Sequence, residues 1–186
     1  MTAILLAATA TPAWATKFYV VVRGVEDAEG VTSGIKDEAL RVFKEELGHR
    51  PELTLTPPPG LPTGDDKDAL RAALKSKNMK ALELTLRIMA VTQTVNPPPP
   101  GKRFRQLVRG IKLSVFGDSL PDKVLAIGGD GESQVAAEVD ANASLDKEGK
   151  PLLVDATKEA VKQAVDMTVA KLKVGDKKQK LPAKRK

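Results

Sequence analysis

Four carboxylates, Asp130, Glu132, Glu138 and Asp140, are spaced by even numbers, so an extended strand would present all of them on one face. Paired carboxylates act as general acid and base when an apolar setting drives one pKa upward. No such setting surrounds these four, and a solvated strand face accounts for them. Asp65, Asp66 and Asp68 have the composition of a cation loop, but the glycine and closing glutamate of a calcium loop are missing. Capping of the helix that follows explains them instead. His49 is the single histidine and follows a helix stop beside Arg50-Pro51, without partners for a metal site or a triad. Ser114, Ser119 and Ser133 lie in no nucleophile motif. The absence of cysteine removes disulfides, thiolate metal sites and cysteine nucleophiles. No catalytic residue, metal site or cofactor is expected, and the chain is read as a protein without enzyme activity.

One segment has the letters of a phosphate-binding loop. Ile127-Gly128-Gly129-Asp130-Gly131-Glu132 resembles the GGDG loop of the diacylglycerol kinase and NAD kinase families. That resemblance implies a strand ending at the glycines and an aspartate at a phosphate-binding turn. Two features depart from it. Glu132 replaces the usual Thr or Ser and would repel a phosphate, and only 55 residues follow Gly131. Alternation also continues through Val135, Ala137 and Val139. A glycine-kinked strand admitting a crossing helix fits better, with a nucleotide-binding enzyme as an alternative.

The elements that position these residues follow from periodicity. Leu82, Leu84, Leu86 and Ile88 alternate with Glu83, Thr85 and Arg87, as in a half-buried strand. Leu107–Phe116 and Val124–Val139 are two further extended runs flanking the turn Gly117–Asp122, which predicts a three-stranded antiparallel meander. Pairing residues whose numbers sum to about 242 sets Val115 opposite Ile127, Leu113 opposite Gly129, Ile111 opposite Gly131 and Lys112 opposite Asp130. Upstream, Lys17–Val25 predicts a first strand, apolar on both sides and so central. Ile35, Ala39, Val42, Phe43 and Leu47 define one face of a helix capped by Thr32 or Ser33 and ended by Gly48 in the left-handed conformation. Glu52–Thr56 predicts a short strand. A helix over 67–77 follows, with Leu70, Ala73 and Leu74 apolar and Asp65 or Asp66 as cap. A last helix from Pro151 or Leu152 to about Lys173 carries Leu153, Ala156, Ala160, Ala164 and Met167 on its packing stripe, with Thr157 and Thr168 at the border. The expected fold is a single α+β domain of order β-α-β-α-β-β-β-α, with a mixed sheet and helices packed on its meander.

The ends of the chain differ from its body. Residues 1–15 hold a short apolar run, Ile4–Ala8, and small residues at positions −3 and −1 from a cut after Ala15, the pattern of a signal peptide lacking its basic start. The run is too short to span a bilayer. Of the net charge of +6, the eight basic residues and one acidic residue from Lys171 onward contribute +7, so the body is near neutral. The domain is placed at 16–174 and a disordered basic tail at 175–186. That tail suits an acidic envelope polymer, and without aromatic residues it supports no specific nucleic-acid binding. A cytoplasmic nucleic-acid-associated protein using the tail is the other alternative. On the body, the polyproline II connection Pro97-Pro98-Pro99-Pro100 with Lys102, Arg103 and Arg105 is the most distinctive exposed patch and the expected protein contact.

An exported domain with this order of elements across residues 17–174 resembles the small α/β domain of the TolB N-terminal region, the penicillin-binding-protein activator lipoproteins and the curli secretion lipoprotein family. The resemblance implies a periplasmic interaction module whose partner is another envelope protein. The expectation is thus a bacterial, periplasmic or secreted, non-catalytic assembly module.

Overall fold

The computed structural model describes residues 17–28, 31–62 and 66–179, so the N-terminal segment read as a signal, Asp65 and the end of the basic tail lie outside the described residues. Its elements are β1 (Lys17–Asp27), α1 (Ser33–Gly48), β2 (Leu53–Thr54), α2 (Lys67–Ser76), β3 (Met79–Asn96), β4 (Phe104–Leu120), β5 (Val124–Asp140) and α3 (Leu145–Gln179), in the order expected. They build one five-stranded sheet of order β2-β1-β3-β4-β5. β1 runs parallel to β2 and β3, and the meander β3-β4-β5 is antiparallel. The protein is a single α+β domain.

Helices α1 and α3 cover one face of the sheet. Leu82, Leu84, Leu86 and Ile88 of β3, with Leu107, Ile111, Leu113 and Val115 of β4, are buried beneath them. Phe43 and Leu47 of α1 and Val161 and Val165 of α3 complete the core. Each such side chain contributes about 1.5–3 kcal/mol by leaving water. On the opposite, open face, the Arg87 guanidinium lies 4.9 Å from the Phe116 ring centroid and also pairs with Glu26 at 2.5 Å.

Several sequence expectations change. The hairpin register is Leu113 opposite Gly131 and Val115 opposite Gly129, a sum of 244 rather than 242. The turn is tight, at Pro121–Lys123, and one extra β5 residue enters the ladder between the pairs Asp118–Leu125 and Gly117–Ile127. A shift of two keeps every side chain on its expected face. Lys112 therefore pairs with Glu132, at 3.8 Å, and Asp130 instead accepts a hydrogen bond from Ser114 Oγ at 2.6 Å. β4 and β5 outrun their apolar runs, and β3 continues past Ile88 across a bulge at Met89, which exchanges the inward parity from even to odd numbers. β2 shrinks to two residues, so β1 has a partner on that side for only part of its length.

The helices are adjusted too. Gly48 remains helical, and α1 closes through His49 (φ −78°, ψ −5°), whose N–H donates to Glu45 O. Pro51 disfavours helix at the preceding Arg50, so the stop needs no left-handed glycine. Thr32 occupies the N-cap position without a side-chain cap bond. α3 begins at Leu145, keeps Pro151 inside it, and continues to Gln179, into the stretch read as tail. Met167 is 42% exposed, whereas Thr157 and Thr168 are buried. Their hydroxyls donate to Leu153 O (2.7 Å) and Ala164 O (2.8 Å), satisfying within the helix the groups that polarity had assigned to its border.

Candidate interaction surface

The second half of β3, the first half of β4 and the second half of β5 extend beyond the last β1 pair, Asp27 with Ile88. Two long sheet edges result, and they differ in charge. The outer edge of β5 carries Asp130, Glu132, Glu138 and Asp140 on the open face. The edge of β3 from Met89 to Asn96 carries no charged residue, is rich in Val and Thr, and pairs with no strand on its outer side among the described residues. Thr92, Gln93, Thr94 and Asn96 are exposed along it.

This edge leads directly into the proline loop. Pro97, Pro99, Pro100 and Lys102 are exposed, and Pro98 is half-buried. Lys102 N–H donates to Pro99 O at 2.9 Å, and Gly101 has φ +75°. Proline at the second and glycine at the third position of that four-residue loop are the requirements of a type II turn. The connection therefore folds back at Pro100-Gly101 instead of staying extended. An SH3-type reader needs Pro97, Pro100 and Lys102 along one extended helix, which this turn does not present.

The basic residues after the loop separate. Arg103 stays outward, and its Nε donates to Asp140 Oδ2 at 2.9 Å. Asp140 is held below the usual carboxylate range, first by the Asn142 N–H donating to it and then by Arg103. Arg105 turns to the helix side, where Nη2 donates to Ala143 O at 2.8 Å and steadies the chain entering α3. Arg109 follows on the same side, donating to Gln93 and lining a cavity of about 350 Å³ between the starts of α1 and α3. Lys102, Arg103 and the prolines thus share the loop, while Arg105 lies behind it.

The chemical candidates resolve differently. Gly128–Gly131 lies within the continuous β4–β5 ladder, with no strand-to-helix turn at its glycines. A Cβ on Gly129 would meet Ala164 O at 2.3 Å, and one on Gly131 would meet Ala160 O at 1.9 Å. The glycines let α3 lie directly on the strand, as expected of a glycine-kinked strand. Asp66 is the cap of α2, its Oδ1 accepting from Asp68 N at 3.0 Å and Ala69 N at 2.9 Å. His49 is exposed. Among the described residues no group of three or more His, Asp or Glu is placed to hold a metal ion, and no helix is long and apolar enough to cross a membrane. Sequence reasoning pointed to a sheet edge beside the proline loop without specifying which, although the signal of the β3 edge, a charge-free run from Met89 to the prolines, was present.

The fold and this surface define an α+β sheet protein in which, among the described residues, the edge of β3 from Met89 to Asn96 is left without a partner strand. No protein-family model matches the chain, and no curated protein matches it. Among solved structures, it is similar to a Helicobacter pylori protein described as a homolog of the neuraminyllactose-binding hemagglutinin. The TM-score is 0.52 at 9% identity, covering 94% of this chain and 97% of that one. That likeness shows a shared fold. Proteins described as bacterial lipoproteins are also among the similar structures, one from Caulobacter crescentus (TM-score 0.41, 13% identity, 87% of this chain and 93% of that one) and a minor lipoprotein from Acinetobacter baumannii (0.38, 10%, 86% and 94%).

Proposed function

We propose that the chain is a non-catalytic interaction and assembly module of the bacterial envelope, periplasmic or secreted, which takes up an extended segment of another envelope protein along the β3 edge. The contrast between the two edges carries this reading. Sheet proteins guard free edges with charge, proline or a covering element, because an unpaired ladder is a template for another strand. The acids of β5 guard one edge, and among the described residues nothing comparable guards Met89–Asn96. A strand added there would end beside the proline loop and Arg103, which would supply side-chain contacts to main-chain affinity. Residues 1–15, with their apolar run and small residues before a cut, support export.

The test is capture from envelope extract by the full chain, compared with a Thr92→Lys/Thr94→Lys variant and with Gln134→Lys on β5. A partner retained by wild type and Gln134→Lys but weakened about tenfold or more in the edge variant supports the reading. Equal capture by all three rules out the edge as the contact.

A further inference from the structure

We propose that the cavity of about 350 Å³ between the starts of α1 and α3 is a binding site for a small aliphatic carboxylate, with Arg109 as the group that receives the carboxylate. The site lies on the helix side of the sheet, and it stands whether or not the β3 edge takes up a strand. Its volume falls at the lower end of the roughly 300–1,000 Å³ of small-molecule sites. Ile35 of α1 with Leu153 and Val154 of α3 supply apolar wall. Thr157 also lines it, but its hydroxyl hydrogen is taken by Leu153 O at 2.7 Å. Thr32 and Gly34 bound the cavity from the start of α1, whose N-cap makes no side-chain bond and whose first turn holds no acidic residue. The positive end of that helix dipole adds to the attraction for an anion.

Arg109 is set apart by what it lacks. Arg41, Arg50, Arg71, Arg87 and Arg103 each pair with a carboxylate. Half-buried Arg109 pairs with none among the described residues; its Nη1 donates to the neutral Gln93 Oε1, and its buried Nε has no hydrogen-bond partner. A guanidinium withdrawn from water without a counter-charge is unfavourable, and an anion in the adjoining cavity relieves that. The arm is also fixed in place. A Cβ on buried Gly149 of α3 would lie 3.4 Å from both Cδ and Nε of Arg109, so helix backbone rests on the arm while Gln93 holds its end. Little side-chain ordering is then left for the binding step. The other charges among the described lining residues offset one another. Arg41 holds the Glu38 carboxylate at 2.7 and 2.9 Å, and exposed Asp146 and Lys150, one turn apart on α3, sum to zero. One net positive charge remains, the Arg109 guanidinium, beside apolar wall. A cationic ligand meets like charge there, and a bare anion leaves the apolar wall unfilled.

Calorimetric titration of the full chain tests this with four probes: hexanoate, its neutral isostere hexanamide, hexylammonium and acetate. Saturable one-to-one binding of hexanoate is expected, with hexanamide and acetate about tenfold weaker or more and hexylammonium not bound. Arg109→Gln should weaken hexanoate about tenfold or more while leaving hexanamide within about twofold, a split that general damage to the cavity would not produce. Arg103→Gln, the same change on the proline loop, should leave hexanoate within about twofold. Val154→Trp fills the cavity with Arg109 still in place and should remove binding of every probe. Thermal unfolding of each variant checks that the fold persists, and if Arg109→Gln fails to fold, the probe series and Val154→Trp still decide. Absence of saturable hexanoate binding overturns the proposal. Hexanamide bound as tightly as hexanoate, or hexanoate binding unchanged in folded Arg109→Gln or Val154→Trp, overturns it as well.

Discussion

A methyl group on Gly131 would sit 1.9 Å from the carbonyl oxygen of Ala160, a backbone atom of α3 that cannot swing aside. Gly131→Ala must therefore push α3 off the sheet, and it is expected to lose about 3 kcal/mol of stability in urea unfolding. Gly34→Ala is the matched control. Nothing lies within 4 Å of its added Cβ, so it should leave stability unchanged or raise it by up to about 1 kcal/mol. Equal losses would show that α3 does not approach β5 as closely as this. The helix side of the contact is equally specific, with Ala160, Ala164 and Thr168 following one another at every fourth residue. That stripe of small residues, together with Gly-x-Gly on the strand, was readable in the sequence as close packing. The same letters had suggested a nucleotide loop, and only the continuous ladder through Gly128–Gly131 decides between the two.

Among the elements, the two short helices of the first half differ in how they start. Asp66 satisfies two backbone donors of α2, whereas Thr32 makes no side-chain cap bond for α1. Asp66→Ala should cost about 1 kcal/mol and lower the melting temperature by about 2–4 °C. Thr32→Ala should change it by less than about 1 °C, since no cap bond is lost. A larger effect at Thr32 than at Asp66 would contradict these cap geometries. α1 forms without that bond because Ala39, Val42, Phe43 and Leu47 bury its apolar face, and packing outweighs a missing cap. β3 shows the limit of periodicity at this scale. Alternation from Leu82 to Ile88 identified the strand, but the bulge at Met89 breaks parity, so the remaining residues did not read as its continuation.

For the whole molecule, a sheet covered on one face and open on the other distributes stability unevenly. Leu84, Leu86 and Leu113 lie fully buried between strands and helices, so their amides should exchange with solvent only through global unfolding. Amides of Met89–Asn96 that point away from β4 should exchange through local opening, faster by about 100-fold or more. Protection of that edge equal to the core would mean that it is already covered in the isolated protein, which would count against a free docking edge. Among the described residues, acidic side chains guard the edge of β5, and the edge of β3 from Met89 to Asn96 carries none.

The sequence by itself determined the number and order of elements, the buried faces of β3, β4 and α1, and the side of the meander on which each carboxylate lies. Those properties follow from local spacing, which repeats every two residues in a strand and every 3.6 in a helix. Tertiary structure alone decided the register of 244, the bulge at Met89, the burial of Thr157 and Thr168, and the separation of Arg105 from the loop. It also decided which edges lack a partner strand among the described residues. Each of these depends on residues far apart in the chain meeting across the sheet, and no local spacing encodes that meeting.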